Sequence, residues 1–185
     1  MALKRRYSTV KVERTGRIAW ITFNRPAKRN AMNPQLHFDM EHVLMELETD
    51  ASVDVLVLTG AGDAWSAGME LKEYFREVDG KSDIAQERIR RDASQWQWRM
   101  LRFYNKPTIA MVNGWCFGGA FSIVAGCDIA VAADEAVFGL SEVNFGHFPA
   151  GETTPILANY LQAKHGLYYA LSGKMMNGRE AERIG

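Results

Sequence analysis

Two apolar runs set the limits on what this chain can fold into. "VDVLVLTG" (53–60) and "KPTIAMVNG" (106–114) are too short to be helices, are largely apolar on both faces, and each stop at a glycine. Such runs suit strands buried in a parallel sheet. Between them, from about Asp83 to Tyr104, Ile89, Ala93, Trp96, Met100 and Phe103 follow helical spacing with arginines on the opposite face. Strands that alternate with helices make βαβ units, so the expected fold class is α/β with parallel pairing.

The flanking segments extend this pattern. "TVKVE" and "IAWITF" alternate at period two across Thr15-Gly16, as in a β-hairpin. "NRPAKRNAMN" (24–33) reads as a polar loop. Asn33 and Pro34 then supply an N-cap and first helical residue for a helix whose buried face is Leu36, Met40, Val43, Leu44 and Leu47. "GAGDAWSAGMELKEYF" (60–75) reads as a glycine-rich loop leading into a short helix, "GGAFSIVAG" (118–126) as a tight helix, and "DIAVAA" and "AVFGL" as further strands. Trp65, Trp96 and Trp98 are expected in the core rather than in a pocket.

With 185 residues, 47% of them hydrophobic, the chain can build one core, and a single domain over 1–185 is expected. Lys plus Arg and Asp plus Glu both number 22, so there is no basic excess to bind nucleic acid. No apolar run approaches the roughly 18 residues of a membrane span, and "MALKRRYSTVKVE" lacks the apolar stretch of a signal peptide. Cys116 and Cys127 have neither metal-binding nor redox spacing and are expected as buried thiols, in a cytoplasmic protein without metal. The final "GREAERIG" ends on a glycine of the kind that normally leads into another element. The expectation is a chain cut short at its C-terminus.

Two stretches carry the candidate chemistry. "SAGMELKEY" (66–74) and "FGGAFS" (117–122) both place a glycine where a helix begins, and free backbone N–H groups there favour developing negative charge. Two such donors converging on one oxygen would form an oxyanion hole; either loop alone could equally be an ordinary turn. In "FGLSEVNFG" (138–146), Glu142 lies among Phe138, Leu140 and Phe145, where partial desolvation would ease its protonation.

"FNRPAKRNAMN", "SAGMELKE", "KPTIAMVNGWCFGGAFS" and "CDIAVAADEAVFGLSEVNFG" together resemble, in order and spacing, the crotonase (enoyl-CoA hydratase/isomerase) superfamily. "LTGAGDAWSAGMELKEYFREVD" and "SQWQWRMLRFYNKPTIAMVNGWCFGGAFS" resemble its p-hydroxycinnamoyl-CoA hydratase-lyase (feruloyl-CoA hydratase/lyase) branch. The resemblance implies a ββα-repeat spiral fold, here without its C-terminal helical segment. It also implies a thioester oxygen held by the amides of Met69 and Gly119, with Glu142 as acid/base. Ser122 stands where a family hydratase commonly carries a second glutamate, which agrees with the hydratase-lyase branch. Tyr74 is implied as the reader of a phenolic 4-hydroxyl, the alternative being a half-buried structural tyrosine. Lys28, Ala31 and Ala67 are implied in the CoA channel, and Gly68, Leu71, Trp115 and Gly118 in the rest of the substrate site. The implied substrate is an acyl-CoA thioester, with no separate cofactor, in a homotrimer or hexamer. An aliphatic enoyl-CoA hydratase or isomerase, or a non-catalytic acyl-CoA-binding subunit, are the alternatives. Arg25, Lys28 and Arg29 share a loop suited to CoA phosphates. Neither Glu152 nor His147 has a settled role; His147 is read as a structural histidine, the alternative being one that tunes the pocket.

Overall fold

A computed structural model describes residues 6–149 and 153–185. Strands β1 (Val10–Thr15) and β2 (Ile18–Phe23) form the expected hairpin, paired antiparallel from Val10–Phe23 to Thr15–Ile18. Helix α1 (Pro34–Glu48) starts at Asn33, whose side-chain oxygen accepts from the Leu36 amide at 3.0 Å. Leu36, Met40, Val43, Leu44 and Leu47 are all fully buried along it. Burying one such side chain is worth about 1.5–3 kcal/mol, so this face, more than helix propensity, holds α1 in place.

From β3 (Val55–Gly60) onward the chain repeats one pattern. Each long strand feeds a larger sheet, and a three-residue strand after it feeds a smaller one. Thus β3 is followed by β4 (Ala64–Ser66), β5 (Thr108–Val112) by β6 (Trp115–Phe117), and β7 (Ile129–Ala132) by β8 (Val137–Gly139). The larger sheet has the order β1-β2-β3-β5-β7, parallel from β2 onward. The smaller has the order β4-β6-β8-β9, with β9 (Met175–Asn177) antiparallel on β8. A helical stretch follows each strand pair: Leu71–Arg76, α2 (Glu77–Asp79) and α3 (Asp83–Ser94) after β4, α4 (Ala120–Gly126) after β6, and α5 (Thr153–Tyr160) and α6 (Ala163–Ser172) after β8. A last helix, α7 (Gly178–Arg183), follows β9. This is the ββα spiral that the resemblance implied.

The core lies between the two sheets and the helices. Phe23 meets Trp65 edge-on at 5.5 Å and Trp96 at 6.3 Å, and both tryptophans are fully buried, as expected. Trp98 is half-buried, with the Arg102 guanidinium 4.7 Å from its ring centre. Both cysteines are buried thiols; burial raises each, Cys127 to about 12, so neither is poised to react.

Three expectations need correction. The loop read over 60–75 contains β4, and the junction before Gly118 contains β6. The helix expected from Asp83 to Tyr104 turns π-helical over Gln95–Met100. That wider turn shifts the buried stripe to Ala93, Trp96, Gln97 and Leu101 and leaves Phe103 79% exposed rather than on the apolar face. Near the C-terminus, Leu157 is buried and Leu161 is packed against the core, while Leu167, Tyr168 and Leu171 of α6 are exposed.

Candidate active site

The strand order of the smaller sheet assembles the site. Because β4, β6 and β8 lie side by side and parallel, the loops leaving their C-terminal ends also lie side by side. These loops carry Gly68-Met69, Gly118-Gly119 and Glu142 respectively. The carboxyl ends of parallel strands are where α/β sheets gather their ligand groups.

The first two loops are in contact. Gly68 (φ +86°) sits so close to the next strand that a Cβ on it would lie 2.5 Å from the Phe117 carbonyl oxygen and 3.4 Å from the Gly119 nitrogen. No other residue fits there. Met32 forms a bridge with Met69: its amide donates to the Gly68 carbonyl at 2.8 Å, and its carbonyl accepts from the Glu70 amide at 2.9 Å. That ladder satisfies the neighbours of Met69 and leaves its own N–H pointing elsewhere. Gly118 donates to the Gly139 carbonyl at 3.0 Å, which ties the second loop to β8. Among the described residues, neither the Met69 nor the Gly119 amide has an acceptor in the protein. Two unpaired donors thus lie on adjoining loops.

Glu142 opens a 3-10 turn, Glu142–Phe145, just beyond β8. Its carboxylate lies against the second loop: a Cβ on Gly118 (φ +51°) would be 3.1 Å from Glu142 Oε1. Among the described residues its Oε2 is buried with no hydrogen-bond partner. Burial accordingly raises its pKa above the ordinary glutamate value. Ser122 lies one turn into α4, its amide bonded to the Gly119 carbonyl at 3.2 Å and its side chain buried. Among the residues named on these three loops, Glu142 is the carboxylate, and serine has no proton-transfer capacity near neutral pH.

Tyr74 lies on the π-helical segment Leu71–Arg76, half-buried, and burial raises its hydroxyl above its ordinary value. Leu71 is exposed on the same segment. The segment is fastened by Glu73, whose oxygens accept from Arg25 Nη2 at 2.7 Å and Asn33 Nδ2 at 2.6 Å. The Asn33 bond above all, then Arg25, holds Glu73 below the usual carboxylate range. Arg25 also donates to the Ala31 carbonyl, so it is a brace inside the 24–33 loop rather than a free cation for phosphates. Lys28 is exposed, Ala31 buried, and Ala67 half-buried, with its amide bonded to the Arg29 carbonyl at 2.9 Å. The Arg29 guanidinium lies 4.8 Å from the ring centre of Trp115, which itself stacks on Phe117 at 5.2 Å. His147 is exposed, and its amide closes the turn onto the Glu142 carbonyl at 3.1 Å. Glu152 lies outside the described residues.

Sequence reasoning missed the polar group beneath Tyr74. His37 is 1% exposed, its ring 5.5 Å from that of Tyr74 and edge-to-face with it. A histidine directly after Leu36, on the buried face of α1, was the signal that could have found it. A shallow cleft lined by Glu48, Gln95, Arg99 and Phe103 lies elsewhere on the surface and holds none of these groups. Among the described residues no cluster of His, Cys, Asp and Glu could hold a metal ion, and no helix is long and apolar enough to cross a membrane.

Comparison with known proteins supplies the context. The family model described as enoyl-CoA hydratase/isomerase matches residues 13–185. A hydroxycinnamoyl-CoA hydratase-lyase from Pseudomonas fluorescens is 56% identical over 180 residues, covering 97% of this chain and 65% of that protein. The 2,3-dehydroadipyl-CoA hydratase of Escherichia coli K12 is 33% identical over 174 residues, covering 94% of this chain and 66% of that one. Among solved structures, Pseudomonas aeruginosa AtuE superposes with a TM-score of 0.87 at 30% identity, covering 96% of this chain and 68% of that chain. The chain therefore spans about two thirds of the length of these relatives.

Proposed function

Since the chain belongs to the enoyl-CoA hydratase/isomerase family, we propose that it carries the catalytic core of a lyase acting on 4-hydroxycinnamoyl-CoA thioesters. The substrates would be feruloyl-, coumaroyl- or caffeoyl-CoA, hydrated and then cleaved to an aromatic aldehyde of the vanillin type and acetyl-CoA. The observation that carries this reading is the pair of unpartnered amides, Met69 and Gly119, on adjoining loops, the second of which lies against a carboxylate with one buried oxygen unpartnered among the described residues.

The chemistry follows from that arrangement. The thioester oxygen accepts from both amides, which offer more to an enolate than to a neutral carbonyl. Glu142 takes a proton from water as the hydroxyl adds to the β-carbon, and the electron pair moves into the thioester enolate. The protonated Glu142 then delivers its proton to the α-carbon. For cleavage, Glu142 takes the proton of the new β-hydroxyl, the α–β bond breaks, and its electrons return to the enolate as the aldehyde forms. Protonation of that enolate by Glu142 gives acetyl-CoA and restores the carboxylate. One carboxylate is sufficient because each proton it takes, it returns. Ser122 orders the water or β-hydroxyl, and Tyr74 reads the phenolic oxygen.

Lys28, Ala31 and Ala67, with Gly68, Leu71, Trp115 and Gly118, would line the channel for the rest of the thioester. No cofactor is required, since CoA is part of the substrate. The complete protein is expected as a cytoplasmic trimer or pair of trimers, with the exposed Leu167, Tyr168 and Leu171 covered; light scattering would check this. The likeness to a dehydroadipyl-CoA hydratase keeps hydration of aliphatic enoyl-CoA as a second reading. Incubation with feruloyl-CoA and with crotonyl-CoA separates the two. Aldehyde released from the first supports cleavage, whereas hydration of crotonyl-CoA without aldehyde from feruloyl-CoA overturns it.

A further inference from the structure

His37 presents a buried polar problem that packing alone does not explain. It stands on the inner face of α1, and its Nδ1 accepts from the Trp96 indole N–H at 2.9 Å, with Gln97 Nε2 a further 3.3 Å contact. An indole nitrogen can only donate, so Nδ1 is the acceptor and the ring's proton resides on Nε2. Burial keeps the ring neutral, with a pKa lowered to about 3. Nε2–H is then a buried donor, and among the described residues it has no hydrogen-bond partner. An orphaned buried donor is costly, and one in a native structure requires a reason.

The surroundings of the ring supply one. Its aromatic neighbours are Trp96, already engaged through Nδ1, and Tyr74, met edge-to-face at 5.5 Å and 68°. Gln97 continues inward to Met32 Sδ at 3.6 Å, and the methyl of Met32 would be 3.7 Å from a Cβ on Gly119. The polar cluster therefore lies between the oxyanion loops and the segment that carries Tyr74.

We propose that His37 is a positioning residue for Tyr74: the indole of Trp96 fixes the imidazole as the Nε2–H tautomer, and that N–H edge, turned to the Tyr74 ring, sets where the tyrosine hydroxyl points. Such N–H to ring contacts are weak individually, but they recur as a preferred geometry. The acyl-end selectivity of the site thus depends on a side chain that never touches substrate. This rests on the reading of Tyr74 as the group that faces the aryl end of the thioester.

The test measures how far the 185-residue chain prefers 4-hydroxycinnamoyl-CoA over cinnamoyl-CoA, as a ratio of dissociation constants from fluorescence titration. Tyr74→Phe should lower the preference by roughly 2–10-fold, the value of one neutral hydrogen bond. His37→Leu should lower it by roughly 2–5-fold on the same basis, with affinity for cinnamoyl-CoA unchanged. His37→Asn, which retains one acceptor for Trp96 and one donor toward Tyr74, should restore it. A wild-type protein without preference, or a Tyr74→Phe variant that keeps it, overturns the reading of Tyr74 and this inference together. Loss in Tyr74→Phe but not in folded His37→Leu overturns the inference alone. Should His37→Leu fail to fold, nitrogen NMR of the unaltered protein decides. Protonation at Nε2, with an Nε2–H resonance shifted upfield by a ring and returning in Tyr74→Leu, supports the proposal. Protonation at Nδ1, or a resonance indifferent to Tyr74, overturns it.

Discussion

Asp39 and Glu142 are both carboxylates drawn into the protein, and the fold treats them in opposite ways. Asp39, on α1 and 3% exposed, has its acceptors filled. Oδ2 takes the amides of Ser8 and Thr9 at 3.0 Å each and the Thr9 hydroxyl at 2.7 Å, and Oδ1 takes Gln35 Nε2 at 2.7 Å. It ties the N-terminal segment to the first helix. Glu142 lies against the Gly118 loop, and among the described residues its buried Oε2 faces no donor. A filled carboxylate is a structural fastening, whereas one with an oxygen left without a donor is open to a ligand, as the proposed acid/base role requires. The difference lies in the partners, and burial alone would not have revealed it.

The strongest way to break this contrast is Glu142→Gln, which preserves shape but cannot accept a proton near neutral pH. In a full-length, active form, β-hydroxy thioester and aldehyde production should fall together by about 10²–10⁴-fold, while thioester binding persists. Ser122→Ala should be milder. Aldehyde release near the wild-type rate would make Glu142 a loop residue like any other.

Asp39→Ala attacks the other side of the comparison. Several buried donors lose their acceptor, each at a cost of about 1–3 kcal/mol, partly offset by water and local relaxation. The expected loss of about 3 kcal/mol would appear as a lower denaturant midpoint with ligand affinity of the folded protein intact. A change below about 1 kcal/mol would show that filled acceptors are not what distinguishes Asp39.

Tyr74→Phe has a smaller effect. Turnover of 4-hydroxycinnamoyl-CoA should lose about 0.5–1.5 kcal/mol of transition-state stabilisation with CoA binding nearly unchanged. Unchanged kinetics would remove Tyr74 from the site.

The sequence made one half of this contrast far easier to read than the other. Strand β2 and helix α1 were legible because each has enough residues to display a period, and β3 and β5 because each is a sustained apolar run that stops at a glycine. The three-residue strands β4 and β6 were not. All of Ala64–Ser66 is buried, so no alternation marks it, and its role is visible only once β6 lies beside it. Yet those short strands align Met69, Gly119 and Glu142. The candidate site residues were named through family resemblance, whereas the adjacency of the loops that carry them became visible only with the second sheet. His37 and the Glu73 brace stayed hidden for a related reason: their partners lie 59 and 40–48 residues away in sequence.

The subtlest test of the contrast is pH. Burial raises the Glu142 pKa in the folded protein above the ordinary value of 4.5, which is near that of the unfolded chain. Below about 4.5 the carboxyl is protonated in both states, and the folded protein carries no penalty for it. As pH rises through the folded value, the folded protein must hold a charge in a desolvated place without a partner, and stability is lost. Glutamine carries no charge at any pH. Glu142→Gln should therefore melt above wild type at pH 7, with the gap closing as pH falls below 4.5. Melting curves of the two proteins at pH 7 and pH 4 measure this directly. A wild type that is the more stable of the two at pH 7 would mean that the Glu142 carboxylate has found a donor. It would then be a fastening of the same kind as Asp39.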